Sequence, residues 1–158
     1  MRVILLGFGG RPDFIREADR LRPFIEKHAK IVAVDFTGQQ DLSCLEADMV
    51  IVLGGDGSIL RAAHQMGHRQ LPVLAVNLGR LGFLADLSPD DLLRVLPKLS
   101  PDNLTVIGHL MFECRVFREH QLVAEQLGLN EVAIQHGPPF VILDIDLYVD
   151  SEQVTTYS

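Results

Sequence analysis

The sequence predicts an α/β fold, a parallel doubly wound sheet followed by the start of a predominantly antiparallel β domain. Three observations predict it. Short apolar runs alternate with amphipathic stretches through the first hundred residues, several of those runs end on glycine, and from about Asn103 the pattern changes to long alternating stretches with no helix between them. Strands separated by helices pair in parallel through right-handed crossovers. The two parts are read as residues 1–101 and 102–158.

The first strand is expected over Arg2 to Phe8, ending in the turn-forming Gly9 and Gly10. A helix follows. Pro12 suits its first turn, and Phe14, Ala18, Leu21, Phe24, Ile25 and His28 recur every three or four residues among charged neighbours. Ile31 to Phe36 and Met49 to Leu53 are the next strands, Ser58 to Met66 the next helix, and Leu71 to Asn77 a fourth strand. Ser88-Pro89-Asp90-Asp91 opens another helix, with a serine cap, proline at the first position and acidic residues facing the helix dipole. In the second part, strands are expected over Leu104 to Arg118, Leu122 to His136, Val141 to Val149 and Val154 to Tyr157. Hairpin turns fall at Arg118 to Gln121 and Asp150 to Gln153, and Gly137-Pro138-Pro139 breaks the sheet between the pairs.

Bulk properties narrow the function. A hydrophobic fraction of 47% in 158 residues is ample for a core, and no window approaches the roughly 18 apolar residues of a spanning helix. The net charge is −7 and the 14 Lys and Arg are scattered, which disfavours nucleic acid and anionic membrane as partners. Val3 to Leu6 is too short for the core of a signal peptide. Cys44 and Cys114 lie far apart with no CxxC spacing, which fits two reduced thiols and a cytoplasmic location.

Met49 to Leu53 followed by Gly54-Gly55-Asp56-Gly57-Ser58 joins an apolar strand to a glycine-rich turn and a helix. Glycine lets the backbone adopt positive φ and come close to a phosphate, while the N–H groups of the helix's first turn point at the anion. Ser58 can add a hydroxyl donor. The end of a parallel strand is also where α/β folds place ligands. A carboxylate beside a phosphate is unfavourable unless it binds a metal, accepts a hydroxyl's hydrogen bond or removes a proton, so Asp56 is a candidate for all three. The plain alternative is a tight strand-to-helix turn with Asp as its cap. Arg61, on the helix, either balances that charge, contacts a substrate phosphate or is a solvated surface arginine.

Two further segments carry polar groups into apolar surroundings. Asn77-Leu78-Gly79-Arg80-Leu81-Gly82-Phe83-Leu84 opens a second glycine-bearing turn at the same sheet edge, where the Asn77 amide could pin the two loops together. Phe83 either offers a flat face to a base or ribose, or packs in the core with Leu81 and Leu84. Asn130-Glu131 interrupts an apolar β stretch, either as a strand bend or as an amide and carboxylate for ribose hydroxyls. His64 and His68 have the spacing of a metal pair on a helix but no third ligand nearby in sequence, so no protein metal site is expected.

Taken in order, these three motifs resemble the NAD kinase family, and the match spans most of the chain. The first motif alone is similar to that of diacylglycerol kinases, sphingosine kinases and phosphofructokinases. The resemblance implies transfer of a phosphoryl group from ATP, or polyphosphate, to the adenosine ribose 2′-hydroxyl of NAD, with Mg2+ arriving on the nucleotide. It implies that Asp56 is the proton acceptor, that Asp56, Gly57, Arg61, Phe83, Asn130 and Glu131 bind NAD, and that Gly54, Gly55, Gly57 and Ser58 hold the phosphoryl donor. It also implies self-association into a homo-oligomer. The family's later glycine-serine-threonine motif is absent, so the chain is expected to be an N-terminal fragment whose own activity is open. The alternatives are another kinase of the superfamily, acting on a lipid or sugar phosphate, and a non-catalytic nucleotide-binding fragment.

Overall fold

A computed structural model describes every residue of the chain except Gly10, Arg11, Arg80, Leu81, His136, Pro139, Phe140 and Val141. The expected turn at Gly10, the Arg80-Leu81 portion of the second motif, the His136 to Pro139 loop in part and the expected strand start at Val141 therefore lie outside the described residues.

Four strands, β1 (Arg2–Gly7), β2 (Lys30–Asp35), β3 (Met49–Leu53) and β4 (Val73–Val76), form a parallel sheet in the order β2-β1-β3-β4. Successive strand residues face opposite sides, so a strand covered on both faces must be apolar throughout. That requirement explains β3, buried at all five positions. On one face Val3, Leu5, Met49, Ile51 and Leu53 meet Phe14, Ala18, Leu21 and Ile25 of helix α1 (Pro12–His28), together with Leu92 of α3 (Pro89–Val95). On the other, Ile4, Leu6, Val50 and Val52 meet Ile59, Ala62 and Met66 of α2 (Asp56–Met66). Helices on both faces make the sheet doubly wound, as the sequence predicts. Ser88 caps α3 as expected, its Oγ accepting the Asp91 N–H at 3.1 Å, and the Asp91 side chain accepts the Ser88 N–H in return, completing a capping box.

Because α1 and α2 leave on opposite faces, the neighbouring C-terminal ends of β1 and β3 bound a crevice, the usual ligand position in an open α/β sheet. The backbone is stripped of bulk there. Gly7 ends β1 with the Phe14 ring against it, 2.5 Å from where a Cβ would stand.

Asp35 ends β2 and is buried, which a carboxylate tolerates only when its lone pairs are satisfied. Oδ1 accepts the Thr37 N–H at 2.7 Å and the Thr37 hydroxyl at 2.6 Å, while Oδ2 accepts the Gln40 N–H at 2.9 Å and Gln65 Nε2 at 2.8 Å. Burial alone would raise its pKa, but the bonds from Thr37, Gln40 and Gln65 outweigh it and hold the carboxyl well below the usual range. Gln65 lies on α2, so this network fastens the β2–β3 connection to the helix that follows the first motif.

The second part consists of two hairpins, β5 (Met111–Arg118) with β6 (Gln121–Leu129) and β7 (Ile145–Val149) with β8 (Glu152–Tyr157), both antiparallel. The turns fall where expected. Glu119 and His120 have φ of 49° and 64°, and Asp150 and Ser151 have 49° and 70°, the positive values that two-residue turns matching strand twist require. β5, β6 and β7 are shorter than the alternation predicts, whereas β8 begins two residues earlier, at Glu152. Residues 104–110 are not in a strand because β6 ends at Leu129 opposite Met111, leaving no ladder for them to join. β6 stops at Asn130, whose φ of 77° turns the chain out of the extended region.

Candidate active site

The first motif is folded differently from a free loop. α2 begins at Asp56, two residues earlier than the periodicity predicts, so Asp56 and Gly57 lie in its first turn and Gly55 is the N-cap. Asp56 is thus no cap, contrary to the plain alternative. Gly54 makes the bend at φ 145°, with its N–H donating to the Val76 carbonyl at 2.8 Å, and a Cβ there would stand 2.1 Å from Ser58 Oγ. The Ser58 hydroxyl therefore folds back over Gly54, and the Ser58 N–H donates to the Gly55 carbonyl at 2.9 Å. Side chains at Gly55 or Gly57 would enter open space, so the backbone there is bare towards a ligand.

The second motif closes on itself at its neck. The Asn77 N–H donates to the Leu87 carbonyl at 2.7 Å and Asn77 Nδ2 to the Ala85 carbonyl at 3.3 Å, while Asn77 Oδ1 accepts the Gly79 N–H at 2.9 Å. These bonds of Asn77 shape its own loop. A tie from one loop to the other is made by Asp56, whose Oδ2 accepts the Phe83 N–H at 2.8 Å and whose Oδ1 accepts those of Leu84 and Ala85 at 3.0 and 3.2 Å. The N–H of Phe83, then that of Leu84, holds the Asp56 carboxyl below its ordinary pKa against desolvation, with Ala85 adding to the effect. A methyl on Gly82 would stand 2.2 Å from Asp56 Oδ1, so the carboxylate reaches the loop because residue 82 has no side chain.

The other candidates divide between near and far. The Phe83 side chain is 99% exposed, so it does not pack in the core with Leu84. Arg61 is exposed and lies over the Phe8 ring just after β1, 5.3 Å from the centroid, which brings α2 to the β1 side of the crevice. Asn130 and Glu131 are exposed at the end of β6, and among the described residues neither side chain has a hydrogen-bond partner. Nothing in the described contacts joins them to the Asp56 loop.

Two clefts bring together residues that sequence spacing could not relate. One, of about 560 Å³, lies between α1 and the second motif, lined by Arg16, Glu17, Arg20, Asn77, Leu78 and Gly79. Its arginines are paired, Arg16 with Asp13 and Arg20 with Glu17. The other has His64 and His68 at the end of α2 facing Glu113 and Glu125 of the first hairpin. Both glutamates pair with Arg115, and among the described residues no group of three or more His, Cys, Asp or Glu could hold a metal ion.

The chain has relatives among known proteins. Residues 22–104 match the family described as the ATP-NAD kinase N-terminal domain. The chain belongs to the NAD kinase family. It is 49% identical over 156 residues to an NAD kinase of Rhodopirellula baltica, covering 99% of this chain and 50% of that protein. An NAD kinase of Geobacter sulfurreducens is 37% identical over 146 residues, covering 89% of this chain and 50% of that protein. This NAD kinase family member thus spans about half the length of these relatives.

Its fold is that of a yeast NADH kinase crystallised with NADH, with a TM-score of 0.74 at 16% identity over 99% of this chain and 54% of that one. An Archaeoglobus fulgidus NAD kinase in complex with ATP gives a TM-score of 0.67 at 23% identity, over 99% of this chain and 57% of that one. The parallel α/β part followed by antiparallel hairpins is thus the architecture of the family. Gly82 and Phe8 are the residues the sequence reading missed. Gly82 stood inside the quoted motif, but only its distance to Asp56 gives it a role, and nothing in the sequence pairs Phe8 with Arg61.

Proposed function

We propose that the protein carrying this chain phosphorylates the adenosine ribose 2′-hydroxyl of NAD, with Mg-ATP as donor, to give NADP. The observation that carries this reading is the joint between Asp56 and the 82–85 loop at the switch point, in a chain of this family. The relatives named as NAD kinases, and the solved structures with NADH and with ATP, support it.

The chemistry asks the protein chiefly for positioning and electrostatics. Gly54, Gly55, Gly57 and Ser58 supply bare backbone and a helix N-terminus for the donor's phosphates. Among the described residues Oδ2 of Asp56 accepts only the Phe83 N–H, which leaves an acceptor direction to take the ribose hydroxyl's hydrogen bond and receive its proton as the new O–P bond forms and the γ-phosphorus–oxygen bond to ADP breaks. Arg61 and Phe83 flank the dinucleotide, and Asn130 with Glu131 bonds its ribose or adenine edge. Mg2+ arrives bound to the nucleotide.

No described helix is long and apolar enough to cross a membrane. We place the protein in the cytosol and expect self-association through the hairpins, where Phe117, Leu122, Tyr148 and Tyr157 are exposed. The deciding experiment offers the protein Mg-ATP with NAD, diacylglycerol or fructose 6-phosphate in turn. NADP should form and the other two stay unphosphorylated; transfer to the lipid or sugar, or to none of the three, overturns the assignment.

A further inference from the structure

The two loops of the site come from different strands, and a side chain gripping backbone joins them. Three consecutive N–H groups, those of Phe83, Leu84 and Ala85, converge on the Asp56 carboxylate at 2.8, 3.0 and 3.2 Å. Successive N–H groups arranged in this way form a concavity that suits an anion, and here the anion belongs to the protein. A carboxylate offers about four acceptor directions, so three are committed to the loop before any substrate arrives. The grip also explains an otherwise costly exposure. Phe83 is 99% exposed while its own backbone N–H is fixed, so the ring is held out into solvent from an anchored base.

We propose that Asp56 is the positioning residue of the 82–85 loop, setting the backbone from which Phe83 presents its ring to the dinucleotide, and that Gly82 exists to admit the carboxylate. The kinetic consequence rests on the NAD kinase reading; the hydrogen-bonded joint does not. Asp56 then does two separable things: it meets the substrate hydroxyl, and through Phe83 it sets how well the dinucleotide is held. Gly82→Ala separates them, because it leaves the carboxylate in the protein and drives the loop off it.

The test has a structural arm and a kinetic arm. In the unaltered chain, amide exchange at Phe83, Leu84 and Ala85 should be at least about tenfold slower than for unprotected amides, and Gly82→Ala should abolish that protection. In Asp56→Asn, the amide group can keep its oxygen towards Leu84 and Ala85 only by turning N–H towards Phe83, so protection is lost first at Phe83. In the full protein, Gly82→Ala should raise KM for NAD roughly tenfold with KM for ATP within about twofold, and in a Phe83→Ala background it should add little to KM for NAD. Fast exchange at all three amides in the unaltered chain overturns the proposal, as does a folded Gly82→Ala variant with unchanged KM for NAD or with a full additional effect when Phe83 is absent. If the amides are protected but no NADP forms, the kinase reading fails and the joint stands. If NADP forms while the amides exchange freely, the reverse holds.

Discussion

The Phe83 N–H lies 2.8 Å from Asp56 Oδ2 across 27 positions of sequence, and this bond ties the turn after β3 to the loop after β4. It gives the carboxylate a use that phosphate chemistry alone does not require. Backbone dipoles favour the ionised carboxylate, so its charge is met from within the protein.

Phe83 should separate function from stability. Its side chain buries almost nothing, so Phe83→Ala should change unfolding free energy by less than about 0.5 kcal/mol, whereas truncating the fully buried Leu92 to Ala should cost about 2–5 kcal/mol. Urea denaturation of both variants measures the contrast. Weaker NAD binding in Phe83→Ala at unchanged stability is the expected pairing, and a loss of stability as large as that of Leu92→Ala would contradict the exposed placement.

Gly54→Ala meets two obstacles, a φ of 145° and Ser58 Oγ at 2.1 Å from the new Cβ. The expected cost is about 1–3 kcal/mol. Adding Ser58→Ala removes the contact but leaves the backbone strain, so the double variant should recover only part of the loss. Full recovery in thermal unfolding would place the whole cost on the contact with Ser58.

Asp35 predicts an acid-sensitive fold. Its native carboxyl is held below the unfolded value of about 3.9, so its stabilisation is complete above that pH and declines as pH falls towards the native value. Asp35→Asn should cost about 2 kcal/mol near neutral pH, in line with hydrogen bonds to a charged group. The gap between the urea midpoints of the two proteins should narrow from about pH 6 to about pH 3. A gap that is constant across that range would show that the network does not depend on charge.

The β5–β6 turn carries positive φ at Glu119 and His120, neither of them glycine. Relieving one position with His120→Gly should stabilise the hairpin by up to about 1 kcal/mol. A raised melting temperature checks it; a lowered one would mean that glycine's entropy cost outweighs the relief.

The sequence by itself determined the parallel α/β part, because a strand buried on both faces must be apolar throughout and a helix packed on one side must repeat every three or four residues. Met49 to Leu53 and Phe14 to Ile25 show those two patterns openly. It also located the hairpin turns, the serine cap at Ser88 and the three motifs. Three of its four strands in the second part were too long, since alternation records which residues could face one side and not whether a partner strand lies opposite. The tertiary structure alone decided that Asp56 lies inside α2 and grips the loop of Phe83, that Arg61 covers Phe8, and that Asp35 is satisfied by Gln65 thirty positions away. Each is a hydrogen bond or a ring contact between residues far apart in the chain. Such pairs leave no period in a sequence, because it is the sheet order and the opposite exits of α1 and α2 that bring them within reach.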